Sequence, residues 1–343
     1  MKKLFLSLFA VLMGAMSSIA QDDLVATLSH GSSISTYIGA DALSEAYTAA
    51  AAGDIITLSP GVFNAVDIEK AVTVRGAGMM DMETNGFVST QLAGDMTINV
   101  PSSTTTLTIE GVQTLGTVSI NGTNLEPIKI SKCRFESSVR TSGISMSAYA
   151  CIFASGLNAR NDNTKNTTLN CLNCVIVDAT SAGTNASFLA KIVATNCLVE
   201  LSRYNVPYSV FTNCIITSDV DYYSPLPETC SAQNCIGINV RANPDLFANI
   251  VNPSNVMVEG VGEAAFSTIF KTLKKLGSGP AITETYELTE TAATTYLGDD
   301  GTQVGIYGGA TPYNPTPSNP QVKKFTVSST TEGEQLKVKI NVE

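Results

Sequence analysis

The sequence predicts an all-β fold, a parallel β-solenoid with a helical cap at its entrance, and three observations carry that expectation. A cysteine followed by alternating apolar residues recurs at Cys133, Cys151, Cys174, Cys197, Cys214 and Cys235, with spacings of 18, 23, 23, 17 and 21 residues. A period near 20 with variable padding marks rungs that share a core and differ in their loops. Short alternating segments without cysteines lead into this repeat and keep its strand length. Only 15% of the residues are charged, tryptophan is absent, and Ser, Thr, Asn and Gly abound, which suits short strands joined by small polar turns.

Taken in order, Lys2 and Lys3, the apolar run Leu4 to Met13 and the small residues Ser18-Ile19-Ala20 read as a signal peptide over residues 1–20. The expected product is exported, periplasmic or extracellular, and soluble, since no later apolar run approaches the ~20 residues that span a bilayer. From Asp41 to Ala52, Leu43, Ala46, Tyr47 and Ala50 share one helical face, and Gly53 ends the helix. Strands follow at Asp54–Leu58 and Ala71–Gly76 around the turn Ser59-Pro60-Gly61, then at 96–100, 106–109, 117–120 and 128–130. A helix ahead of such strands plugs the open end of a solenoid and protects its core and strand edges. Residues 21–312 therefore form the solenoid with its closing segment, and residues 313–343 a Pro-rich linker and a short β-hairpin tail.

Eight cysteines in an exported chain ordinarily mean disulfides. Here six of them hold one rung position, so neighbours sit about 4.8 Å apart with parallel Cβ vectors, a poor geometry for a disulfide torsion. These six are expected as small buried hydrophobes in a column, while a bridge between Cys171 and Cys230 stays open. With each cysteine pointing inward, alternation turns Ile152, Val175, Leu198, Ile215 and Ile236 outward. A five-rung apolar stripe needs a cover. The amphipathic segment Glu263 to Leu276, with Phe266, Ile269, Phe270, Leu273 and Leu276 on one face, is expected to supply it; the alternative is a protein-binding face.

The segment Ala52 to Phe63, the Val-Thr-Val-Arg-Gly at 72–76, the Asn-Cys rungs, Asn243 to Phe247 and the closing stretch Tyr296 to Gly309 resemble right-handed parallel β-helix proteins of the pectin-lyase-like superfamily. The likeness covers roughly residues 35 to 312. It implies three strands per rung, with an asparagine in left-handed conformation at the tight turn before the last strand. Asn173, Asn196, Asn213 and Asn234 match that place, and their amides would stack into an asparagine ladder.

The resemblance specifies fold more closely than activity. Lyases of this kind use Arg or Lys to abstract a proton beside a uronic carboxylate held on Ca²⁺, and hydrolases use clustered aspartates. The loops after the cysteine strands offer Glu136, Arg140, Arg160, Asp162, Asp178, Glu200, Arg241 and Asp245. Arg203, Asp219 and Asp221 are the catalytic candidates, and Arg160, Arg203, Tyr204, Tyr222 and Tyr223 the candidates for binding a sugar chain, tyrosine rings being suited to stacking on sugar faces. Against catalysis, the acids do not recur at one rung position, and loop charges serve solubility alone.

The leading expectation is thus a polysaccharide-binding protein without a catalytic constellation. A polysaccharide lyase or glycoside hydrolase, and a surface scaffold or adhesin binding protein through its sheet faces, are the alternatives. No cofactor is expected; Ca²⁺ at Asp299-Asp300-Gly301 is the one alternative, where Asp-Gly is first a turn signal. His30 is the single histidine, which removes histidine triads and zinc sites from consideration. Without Lys2 and Lys3 the chain holds 18 basic and 30 acidic residues, a net charge of −12 that disfavours nucleic acid and anionic membranes as partners.

Overall fold

The computed structural model describes residues 24–80, 89–100, 105–122, 127–160, 165–182, 189–201, 206–218, 225–239, 245–277, 279–318, 322–332 and 335–342. Residues 1–20, expected from sequence as a signal peptide, lie outside them. The chain winds into a parallel β-solenoid of about 8 turns. Its first sheet has eleven strands, running from Ser33–Ile38 and Val25–His30 at one end to Ser231–Gln233 at the other. Val25–His30 pairs antiparallel with both Ser33–Ile38 and Ile55–Leu58, and from Ile55–Leu58 onward every neighbour in this sheet is parallel. The second sheet holds the cysteine strands, and a column of strands from Met96–Val100 to Leu157–Arg160 joins it at Val175–Ala182. Together they give each full rung three sides.

Helix α1 (Ala42–Ala49) plugs the entrance with Ala42, Leu43 and Ala46 buried. It is shorter at both ends than the apolar spacing predicts, and Lys70 caps the carbonyls at its C-terminal end. The Lys70 ammonium donates to Tyr47 O at 2.9 Å, Thr48 O at 3.2 Å and Ala50 O at 2.8 Å, a favourable charge at a helix C-terminus. Gly53 follows in left-handed conformation at φ 93°.

The turn before each cysteine is left-handed at all six rungs: Lys132, Ala150, Asn173, Asn196, Asn213 and Asn234 have φ between 51° and 54°. The four asparagines stand where the sequence places left-handed turns, whereas Lys132 and Ala150 adopt the same conformation with side chains that carry no turn signal. Inside, Cys133, Cys151, Cys174, Cys197, Cys214 and Cys235 line one core with Phe135, Phe153, Ile176, Val199 and Ile216. Phe135 and Phe153 stack with centroids 5.1 Å apart. All eight cysteines are free and buried, so Cys171 and Cys230 form no bridge.

The outward stripe is covered. Ile152, Val175, Leu198, Ile215 and Ile236 share a second buried cluster with Phe266, Ile269, Phe270, Leu273 and Leu276. The covering helix α2 is only Glu263–Ile269. Phe270 turns extended and bridges Leu288 antiparallel, so Lys271 N–H donates to Glu287 O and Thr289 N–H to Ile269 O, pairing the backbone where the helix ends. Leu273 and Leu276 still reach the cluster from irregular chain. A third helix, α3 (Glu290–Thr295), is capped by the Thr289 hydroxyl accepting from Ala292 N–H. The tail forms its own two-stranded sheet, Val322–Glu332 with Gln335–Val342.

Candidate functional site

Residues 296–318 run as a strap along the left-handed turns, and this strap positions the site. Asn173 Nδ2 donates to Ile306 O at 2.7 Å and Gly308 O at 2.8 Å. Asn234 Nδ2 donates to Asp299, and Gly305 N–H donates to Asn213 O at 2.9 Å. The amides of Asn173 and Asn234 thus hold the strap, which corrects the expectation of stacking along a ladder. Glycine is required where the strap meets these amides: a Cβ on Gly298 would lie 2.7 Å from the Asn213 amide, and one on Gly309 2.3 Å from Asn196 Nδ2. Tyr149 OH donates to Pro312 O at 3.1 Å, and Ser318 N–H donates to Glu110 Oε1 at 2.9 Å, so the strap extends back towards the entrance.

Beside the strap, the outer face of the first sheet is hollowed into an open groove of about 530 Å³. Its lining comes from two outward columns that the parallel register aligns. One runs Thr108, Lys129, Ser147, Asn170, Val193, and the other Ser131, Tyr149, Leu172, Thr195. Successive members stand about 4.8 Å apart, roughly one sugar residue. The strap walls one side through the Tyr149–Pro312 hydrogen bond. Chemically the groove offers hydroxyls, an amide, one ammonium group and an apolar floor at Leu172 and Val193, and no carboxylate is among its lining residues. Glu110 lies in the column that continues to Ser131, but it is buried, 3.8 Å from Lys132 Nζ and 3.9 Å from Arg75 Nε.

None of the candidates named from sequence that lie among the described residues lines this groove. Arg203, Tyr204, Asp219, Asp221, Tyr222 and Tyr223 lie outside the described residues, as do Asp162 and Arg241. Arg160 is exposed at the end of Leu157–Arg160, level with Ser142, and Arg140 is exposed one rung earlier. Glu136 is held by Arg134 Nε at 2.5 Å and by Gln113 Nε2 at 2.6 Å. This pairing explains how Arg134, only 3% exposed, occupies the place that Ile152 takes one rung on.

Asp300 serves a turn, accepting from Thr302 N–H and Oγ1, and those bonds lower its carboxyl below the ordinary range. Among the described residues no group of three or more His, Cys, Asp or Glu gathers to hold a metal ion. His30 is largely exposed and rests on Asp54 at 2.8 Å. No helix among the described residues is long and apolar enough to cross a membrane. The groove itself was missed from sequence, because it depends on register between strands about 20 residues apart and on a strap more than 100 residues downstream. Comparison with family models, curated proteins and solved structures finds no match to this chain.

Proposed function

We propose that this chain is an exported glycan-binding protein, built as a right-handed parallel β-helix akin to the pectin-lyase-like superfamily. The observation that carries the reading is the groove on the first sheet. Polar side chains repeat there once per rung on an apolar floor, beside the ring of Tyr149. A neutral or weakly charged polysaccharide lying across the rungs meets hydroxyl, amide and ammonium groups at nearly its own repeat. Lys129 and Asn170, both exposed, are the main polar contacts, and Leu172 and Val193 take the apolar sugar face. Binding without hydrolysis suits this groove, since glycoside hydrolysis needs paired carboxylates across the scissile bond. A net charge of −10 for the whole chain disfavours polyanionic partners that lack a bridging cation.

Titration of the full chain against a glycan panel by calorimetry tests the reading. Lys129→Ala with Asn170→Ala is expected to weaken binding at least tenfold for the glycan that binds. Parallel variants Arg160→Ala, Arg203→Ala, Tyr204→Ala and Tyr222→Ala with Tyr223→Ala place the binding face, with loss there instead moving the site to the loops. Absence of binding across the panel refutes the proposal. Release of reducing or unsaturated ends, with or without Ca²⁺, that disappears in Asp219→Ala or Asp221→Ala replaces it with the enzyme reading.

A further inference from the structure

Among the described residues, the entrance end of the first sheet terminates in the strand Ser33–Ile38, which pairs with Val25–His30 on one side only. Edge strands are ordinarily blunted by charge, proline, a bulge or a covering segment. This one reads Ser-Ile-Ser-Thr-Tyr-Ile, with no charge and no proline, and its register with Val25–His30 is unbroken over six pairs. Helix α1 plugs the core behind it and leaves Ile34 72% and Ile38 64% exposed. Because Ser35 and Tyr37 pair with the buried Leu28 and Ala26, alternation puts Ile34, Thr36 and Ile38 on the outward face, the same face as the groove.

We propose that this strand pairs antiparallel with the same strand of a second copy, forming a two-fold dimer. Its outward face, Ile34, Thr36 and Ile38, is symmetric about Thr36. Antiparallel pairing centred there sets Ile34 opposite the partner copy's Ile38, and Thr36 opposite its counterpart, two favourable β-branched pairings. The strand itself carries no charge, so two copies that each carry −10 meet there without setting like charges in contact. A junction one strand wide buries little area, which sets the association as weak. A two-fold axis normal to the sheet keeps both outward faces on one side, so two eleven-stranded sheets become one surface carrying two grooves. On the glycan-binding reading, that geometry makes attachment bivalent.

Sedimentation of the full chain across concentration gives the test. A monomer–dimer equilibrium is expected, strengthening as salt rises from about 0.05 to about 0.5 M, because screening removes repulsion between two acidic copies. Ile34→Lys with Ile38→Lys places like charges opposite one another and is expected to weaken the dimer at least tenfold. Ile34→Lys with Ile38→Glu places opposite charges in the same register and restores it. Both pairs sit at exposed positions, so an unchanged circular dichroism spectrum controls for folding.

A chain monomeric at every concentration, open-ended polymers in place of a dimer, or a dimer indifferent to both substitutions overturns the proposal. The groove variant Lys129→Ala with Asn170→Ala is expected to dimerise normally. The Ile34→Lys, Ile38→Lys chain is expected to keep its affinity for a short soluble glycan while losing retention on an immobilised one. Failure of the dimer and failure of glycan binding are therefore read separately.

Discussion

Cys174 N–H donates to Cys197 Sγ at 3.4 Å, and the same sulfur sits 3.2 Å from Thr195 O, to which its own proton is given. The contact repeats from Cys151 to Cys174 and from Cys197 to Cys214, each at 3.5 Å. A left-handed residue just before the strand swings the cysteine amide out of the ordinary ladder, and the sulfur one rung further on receives it. Cysteine thus combines a small apolar volume with an acceptor. Burial pushes the Cys151 and Cys197 thiols well above their usual range, so they stay protonated and unreactive. Cys197→Val keeps a compact apolar side chain, about one methyl group larger, and removes the acceptor. It is expected to lower stability by about 1–3 kcal/mol in guanidinium unfolding, the cost of a buried amide left unpaired. A valine variant as stable as the parent would show that the sulfur contributes packing alone.

At the scale of elements, the entrance cap depends on one carboxylate. Asp54 Oδ2 accepts Ala51 N–H at 2.8 Å just beyond α1, and this backbone bond is the largest cause holding its carboxyl below the ordinary value; burial opposes it and His30 assists. A depressed folded-state pKa stabilises above the unfolded value, near ~4, and that contribution disappears as pH falls through the folded value. Acid unfolding is therefore expected to steepen below about pH 4 and to flatten in Asp54→Asn. Identical acid profiles for the two chains would remove this role. The helix itself was legible from the spacing of Leu43, Ala46 and Ala50, and the cover over Ile152 to Ile236 from the need to hide an outward stripe. The end of α2 was not, because Phe270 leaves the helix for a pairing with Leu288, a contact that helical periodicity does not encode. The left-handed turns at Lys132 and Ala150 were hidden for a related reason: neighbouring rungs impose a conformation that neither residue favours.

A solenoid whose rungs touch only their neighbours is quasi-one-dimensional, and its ends are free to unfold without its middle. The strap removes that freedom. It bonds Asn234 near the far end, Asn213 and Asn173 in the middle, Tyr149 further back and Glu110 towards the entrance, so distant rungs share one continuous partner. One cooperative transition is the consequence for the solenoid body. The fit rests on glycines: Gly305 and Gly309 have φ of 82° and 81°, and a Cβ on Gly305 would lie 2.8 Å from Ile215 Cδ1. Gly305→Val with Gly309→Val should lift the strap while leaving every rung residue in place. Guanidinium unfolding, followed by circular dichroism and by tyrosine fluorescence, is expected to be a single coincident transition in the parent and two separated ones in the variant. The early phase should expose the cover and bind a hydrophobic dye, since Val304 and Ile306 leave the cluster over Ile215 together with the strap. Coincident transitions in the variant, merely shifted to lower denaturant, would mean that contacts between adjacent rungs suffice for cooperativity and that the strap only adds stability and a wall to the groove.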